Sequence, residues 1–300
     1  MPNPTANSLA LFDLDQDLPG YGGFIACWAY RDQRVRLLVD PGPRSTAAAL
    51  CQRLRRAGWG EIDLVLLTHI HLDHGGGTAE VLDAFPQARW CAHPKGVDHL
   101  LEPSRLWRGS LTTIGRVAEA YGQPRPLPAR RRIAVEDLPA LGVDAIETPG
   151  HAAHHLSFVA GEVLFAGEAI ATRLPLADGR SYLRPATPPR FFPRVFAESL
   201  ARLRRIEPEP AICAFAHHER APGVRCWCER AQAQLERWLR VAERAAGRDE
   251  PDLDRLVAEL LDADPDFGHG RFQALAPAVQ ERERFYAHNS LRGLLQAVAG

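Results

Sequence analysis

A chain of 300 residues with 46% hydrophobic and 24% charged side chains can bury a sizeable core, as one large domain or two small ones, and is excluded from the disordered class. Its formal net charge of -1 supplies no bulk field to draw in nucleic acid or an anionic membrane. No stretch reaches the roughly 18 apolar residues of a membrane span; Leu9–Leu11 runs too soon into Asp13 and Asp15 to act as a secretory signal, so the expectation is a cytoplasmic protein with its cysteines unpaired.

Phe24–Tyr30 and Val35–Val39 are rich in β-branched and aromatic residues and flank the polar turn Arg31-Asp32-Gln33-Arg34, which predicts a hairpin. Asp40-Pro41-Gly42-Pro43 stops the second strand. Ser45–Ala57 then places Leu50, Leu54 and Ala57 at helical spacing before Gly58. Ile62–Leu67 is the short apolar run of a buried strand, and it delivers the chain directly into His69. A helix from Gly75 to Ala84, a strand over Arg89–Ala92 and a helix over Gly96–Leu101 follow. Lys95 is the single lysine among 36 basic residues, which reads first as a GC-rich coding bias. A further helix over Leu111–Tyr121 leads into a Pro- and Arg-rich loop.

The second half repeats the pattern with strands at Val143–Ile146, His155–Val159 and Val163–Phe165. Residues 171–193 hold five prolines and no period, so they read as a long loop with a functional role. An amphipathic helix, Arg194–Ile206, precedes the buried strand Ala211–Phe215, which ends at His217. From Val224 onward the chain reads helical, over Val224–Ala246, Leu253–Leu261 and Ala276–Val298. The expected division is a catalytic domain, residues 1–222, and a helical extension, residues 223–300, packed on it.

Chemistry concentrates where the buried strand Ile62–Leu67 ends. Three of the twelve histidines fall in Thr68-His69-Ile70-His71-Leu72-Asp73-His74, followed by Gly75-Gly76-Gly77. On an extended segment His69 and His71 face the same way and can converge on one ion, while Asp73 and His74 follow the turn and can face a second. Imidazole and carboxylate suit zinc and other borderline divalent metals. A run of surface histidines on a loop is the bland alternative, and a buried strand before it with a glycine run after it argue against that reading. Cys226-Trp227-Cys228 invites a metal or redox reading, but on a helix its two thiols point about 200° apart, too far round to chelate or pair.

His69-Ile70-His71-Leu72-Asp73-His74 resembles the HxHxDH signature of the metallo-β-lactamase superfamily, and the likeness extends over most of residues 20–220 in the right order. Asp40-Pro41-Gly42 is similar to the family's early turn, whose Asp orients the ligand loop by hydrogen bonds. Thr148-Pro149-Gly150-His151 resembles the third motif, with His151 as the remaining ligand of the first metal. Phe165-Ala166-Gly167-Glu168 stands where the family usually has Gly-Asp, so Glu168, one methylene longer, would bridge both ions or bind one. Ala214-Phe215-Ala216-His217 resembles the last motif, in which His217, rather than the adjacent His218, completes the second metal. His154 and His155 are then structural neighbours of the site.

The resemblance implies an α/β, four-layer αββα sandwich with a C-terminal helical extension. It also implies two divalent ions, zinc before iron or manganese, held by His69, His71, Asp73, His74, His151, Glu168 and His217. Asp73, His71 and His74 lie at the catalytic centre. Two such ions can lower the pKa of a shared water to around 7. The helical extension points toward the glyoxalase II-like members, which cleave thioesters, esters or lactones. A mononuclear-iron redox enzyme like the persulfide dioxygenases, or a phosphodiester hydrolase, stays open as an alternative. A β-lactam-cleaving enzyme would need an export signal. Substrate contacts are expected from Arg173, Arg180, Tyr182 and Arg184 in residues 171–193, with His93 beside the cleft; arginines next to aromatics suit a small anionic substrate. Phe285, His288, Asn289 and Arg292 share one face of the last helix, where they would dock over the cleft or form a homodimer contact.

Overall fold

The computed structural model describes residues 8–189, 191–246 and 251–299. The strands are β1 (Ser8–Leu14), β2 (Ile25–Arg31), β3 (Arg36–Val39), β4 (Leu64–Leu66), β5 (Arg89–Cys91) and β6 (Val143–Glu147), then β7 (Leu156–Ala160), β8 (Val163–Gly167), β9 (Thr172–Pro175), β10 (Ser181–Arg184), β11 (Ile212–Phe215) and β12 (Arg220–Pro222). The helices of the first half are α1 (Arg44–Arg56), α2 (Leu72–Gly75), α3 (Thr78–Ala84), α4 (Pro94–Leu101), α5 (Ser104–Ile114) and α6 (Arg116–Tyr121). Those of the second half are α7 (Pro193–Leu203), α8 (Arg225–Ala245), α9 (Leu253–Ala263), α10 (His269–Phe272) and α11 (Pro277–Ala299). No helix among the described residues is long and apolar enough to cross a membrane.

Two five-stranded sheets form, one in the order β1-β2-β3-β4-β5 and the other β12-β11-β8-β7-β6, with β9 and β10 as a separate hairpin. Strand side chains alternate between faces, and the alternation here sorts the core into three apolar layers. Trp28, Tyr30, Leu37, Val39, Leu64 and Leu66 of the first sheet meet Leu156, Phe158, Val163, Phe165 and Ala214 of the second. The opposite face of the first sheet, with Cys27, Leu38 and Val65, packs on α1, α3, α4 and α6 through Leu50, Leu82, Val97 and Tyr121. The opposite face of the second, with Leu164, Cys213 and Phe215, packs on α7, α8, α9 and α11 through Leu200, Trp238, Leu260 and Leu291. Three apolar layers between two sheets and two helical sheaths make the four-layer αββα sandwich. Phe158 lies at full burial between the sheets, so truncating it to Ala would cost ~3–5 kcal/mol.

Helices α8 to α11 have no core of their own. They share one continuous apolar cluster with the second sheet. A buried ion pair adds specificity to that join: Arg184 Nε of β10 donates to Glu283 of α11 at 2.8 Å, and Arg282 donates to the other oxygen of the same carboxylate at 3.0 Å.

Among the departures from the reading of the sequence, three lie close to the residues of interest. Residues 171–193 contain the β9–β10 hairpin, whose Leu183 N–H also bonds to Asp266 at 3.0 Å. The helix expected over Leu111–Tyr121 begins at Ser104 and breaks at Gly115, which takes φ +47°. The helix expected from Gly75 starts at Thr78, after the short turn α2.

Candidate metal centre

Strand ends assemble the site. The parallel strands β3, β4 and β5 all finish on one edge of the first sheet, and β8 and β11 finish on the facing edge of the second. Main-chain hydrogen bonds stitch these edges together: Leu156 N–H to the Thr68 carbonyl at 2.7 Å and Ala26 N–H to that of Ala216 at 3.0 Å. The Trp28 indole also donates to the Phe215 carbonyl at 2.7 Å. The sheets therefore meet where the polar residues emerge.

Two clusters of ligand atoms form there, each with its members within 4.8 Å of one another: His69, His71, His151 and Glu168 in one, and Asp73, His74 and His217 in the other. Glu168 lies among four imidazoles. One carboxylate oxygen stands 2.9 Å from His151 Nε2, 3.4 Å from His69 Nε2 and 3.6 Å from His74 Nε2, and the other stands 3.2 Å from His217 Nε2. His71 Nδ1 and His151 Nε2 face each other at 3.0 Å.

Outer groups brace most of these rings and the loop that carries them. Asp40, at the end of β3 with φ +50°, accepts from Thr68 N–H at 2.8 Å and from its hydroxyl at 2.6 Å, and lies 3.3 Å from His74 Nδ1. Gly42 N–H donates to the His74 carbonyl at 3.0 Å, and Gly77 N–H to that of Gly42 at 2.8 Å, so the Asp-Pro-Gly turn and the glycine run hold the ligand loop from both ends. His151 Nδ1 reaches the Ala186 carbonyl at 2.9 Å, and His217 Nδ1 the Phe24 carbonyl at 3.2 Å. Phe24 also stacks on His217, with ring centroids 4.1 Å apart. Glu168 N–H donates to His155 Nε2 at 3.0 Å, leaving Nδ1 of that ring to donate to Thr148 at 2.8 Å. Gly167 makes this possible: it takes φ +58°, and a Cβ there would stand 2.5 Å from the His155 ring.

The electrostatics suit a bound cation. Burial, with His74 and His71 nearby, pushes His69 far below its ordinary pKa, and burial with His151 and His154 takes His71 down to about 3, so both rings are neutral donors of a lone pair. Burial opposes charge on His74, but Asp73, Asp40 and Glu168 outweigh it and raise the pKa. Burial would likewise raise Asp73, yet His74 beside it holds the carboxyl down at about 2. Glu168 follows the same logic, held well below the usual range by His151 and His217. His69 Nε2 and both ring nitrogens of His74 are buried with no hydrogen-bond partner. A buried polar group left unpaired costs ~1–3 kcal/mol. Divalent ions would engage His69 Nε2 in one cluster and His74 Nε2 in the other, leaving His74 Nδ1 to the Asp40 carboxylate 3.3 Å away, so the donor set fits the metal that the sequence resemblance implies.

A cavity of about 530 Å3 opens above this floor. Tyr121, Tyr286 and Asn289 line it, as do residues of α4 and α5. The Tyr121 hydroxyl is buried and without a partner. Of the residues expected to touch substrate, Arg184 lines the cavity. Arg173 lies instead under Phe215 and Trp227, 5.9 and 5.1 Å from their ring centres. Tyr182 is buried in the core against Phe267, and Arg180 pairs with Asp178 on the surface. His93 caps α4 by accepting from Lys95 N–H at 3.0 Å. Arg173 and Tyr182 belong to the strands of the hairpin and Arg180 to its turn, so each is committed to packing or pairing within the fold rather than to the cavity. Asn289 does reach the cavity, whereas Phe285 is exposed and His288 meets Asp254 at 3.1 Å. Cys226 and Cys228 are free thiols, one exposed and one buried.

A family model described as the metallo-beta-lactamase superfamily matches residues 20–217. A hydroxyacylglutathione hydrolase of Cupriavidus taiwanensis is 27% identical over 261 residues, covering 84% of this chain and 85% of that protein. A metallo-beta-lactamase fold-containing protein of Sulfurisphaera tokodaii is 28% identical over 198 residues, 62% of this chain and 69% of its own length. Among solved structures, an archaeal metallo-beta-lactamase superfamily protein from Sulfolobus tokodaii superposes with a TM-score of 0.66 at 19% identity, covering 97% of this chain and 99% of the other. A metallo-beta-lactamase family protein from Thermus thermophilus gives 0.61 at 19% identity, over 96% and 92%. These two likenesses are of fold.

Proposed function

The chain belongs to the metallo-β-lactamase superfamily, and from that premise we propose that it is a dinuclear metallohydrolase cleaving a small thioester, ester or lactone. The observation that carries the reading is Glu168: a single carboxylate whose two oxygens face imidazoles of both ligand clusters. A metal-free role would leave the buried rings of His69 and His74 with unpartnered nitrogens. The hydroxyacylglutathione hydrolase relative, matched over most of both chains, supports a thioester as the bond attacked.

In this reading His69, His71 and His151 hold one divalent ion, Asp73, His74 and His217 the other, and Glu168 lies between them. Bound ions of this kind polarise a carbonyl oxygen and make hydroxide available near neutral pH. The protein's own groups do the rest. Asp73 and Glu168, both ionised, accept hydrogen bonds from the attacking water and orient it. The Tyr121 hydroxyl, next to Tyr286 in the cavity lining, can donate to an oxygen of the substrate. Leu106 and Ile114 on α5 keep the cavity wall apolar, which strengthens every electrostatic contact inside. A cavity of about 530 Å3 suits a small molecule.

The test is a panel of thioesters, lactones and phosphodiesters run on protein of measured metal content. Hydrolysis of the first two classes with about two ions per chain is the expected result. One iron per chain with oxygen consumption would replace the hydrolase by a redox enzyme of the same fold, and turnover of phosphodiesters alone would move the substrate class.

A further inference from the structure

We infer that the α4–α5 wall of the cavity is an anion-binding subsite, with Lys95 and Arg105 as its charged residues, and that the substrate carries a carboxylate or similar anion away from the bond that is cut. The inference rests on the hydrolase reading for the reaction, but not for the binding. Among the described residues the cavity lining contains three permanent cations, Lys95, Arg105 and Arg184. Arg184 is buried and already engaged with Glu283, a carboxylate that it shares with Arg282. Lys95 and Arg105 are exposed and make no ion pair among the described residues. The carboxylates of the lining are Asp73 and Glu168, both on the metal floor, so nothing on this wall competes for the two cations.

Helix α5 rests on the core through Leu106, Trp107, Leu111 and Ile114 and leaves the rest of its surface open. None of the residues of α5 is buried. Arg105, Leu106, Gly109, Ser110 and Thr113 recur at helical spacing and line the cavity together, so this face of the helix offers a cation, an apolar strip and hydroxyls in succession. Helix α4 is fixed relative to the metal floor: its Gly96 sits so close to the ligand loop that a Cβ would stand 2.7 Å from Ile70 Cγ2, and the neighbouring His154 ring also borders the cavity. Lys95, one residue earlier, borders the same cavity as His71. That the single lysine among 36 basic residues stands at this rim gives the residue a role beyond coding bias. A compact ammonium and a forked guanidinium at one rim can grip a carboxylate from two sides.

The test uses a thioether, which the enzyme cannot cleave, ending either in a carboxylate or in the corresponding primary amide. Each is titrated calorimetrically into the metal-loaded protein. The carboxylate is expected to bind roughly tenfold more tightly than the amide. In the double variant Lys95→Ala, Arg105→Ala this preference disappears, while amide affinity and melting temperature stay as in the wild type. Absent or equal binding of the two probes by the wild type overturns the subsite, and so does a preference that survives in the double variant, which would seat the anion on the metals. Loss of hydrolysis across all thioesters, esters and lactones, with the binding preference intact, removes the hydrolase reading and leaves the subsite standing.

Discussion

The two halves of the molecule supply their shares of the candidate metal centre by different means. The first half contributes one contiguous loop, His69 to His74, held by its own sheet: Asp40 grips Thr68, and the main chain of Gly42 grips His74. The second half contributes His151, Glu168 and His217 singly, each after a different strand and each steadied by a group remote in sequence. The Ala186 carbonyl serves His151, His155 serves Glu168, and the Phe24 carbonyl serves His217. The contrast teaches that one half of the centre is encoded locally and acts as a unit, whereas the other exists only once the sheets have met.

The largest effect expected is on the one residue that touches both clusters. Glu168→Gln lowers turnover on the order of 10³-fold and reduces metal per chain, read by metal analysis beside kinetics. Full metal content in this variant would take Glu168 out of the ligand set and weaken the proposed bridge. Next, Asp40→Ala loosens the whole loop and weakens both metal equivalents together by about 10- to 100-fold, as measured by competition with a chelator. Thr148→Val removes one link behind His155 and lowers affinity by only a few-fold, about the lower end of such outer-group effects. Equal losses in these two variants would erase the distinction between a loop braced as a unit and ligands braced one by one.

The smallest effect concerns the histidines beside the second-half ligands. Burial holds His218 down at about 3 and His154 at about 4, so both are neutral in the folded protein at neutral pH. Because their folded pKa lies below the unfolded value of about 6.5, the stability they contribute is complete above that pH and is lost as pH falls toward the folded values. His74 and His151, with raised pKa, act in the opposite sense, so the difference between variants is the informative quantity. In metal-free protein, His218→Asn shrinks the drop in Tm between pH 7 and pH 5, asparagine tolerating the φ of +63° at this position. An undiminished drop would show that His218 does not carry this acid sensitivity.

The same contrast explains what could be read before folding. The loop His69–His74 is visible because its spacing alone makes ligands converge, and the layered fold is visible because apolar runs alternate with helical periods. His151, Glu168 and His217 stood out only through the strand preceding each and the resemblance of their motifs. Their braces left no trace: a carbonyl such as that of Ala186 belongs to every residue, and only the folded chain says which one points at an imidazole. The β9–β10 hairpin was hidden by five prolines in residues 171–193, two of which, Pro175 and Pro185, in fact bound its strands. With the hairpin unseen, the direction of Arg173 and Tyr182 could not be assigned. Strand β1 is apolar at Leu9, Ala10, Leu11, Phe12 and Leu14, but it forms a half-buried sheet edge and Asp13 interrupts the run, so no clean alternation marks it as a strand.

A chain with one lysine offers amine-selective chemistry a single side-chain target. Here that target stands at the rim of the cavity. An acylating fluorophore used after the α-amino group is blocked would therefore place its reporter at this rim and nowhere else, turning every occupant of the cavity into an optical signal. Conversely, the mass of one peptide, the one containing Lys95, records whether the cavity was shielded at the moment of labelling.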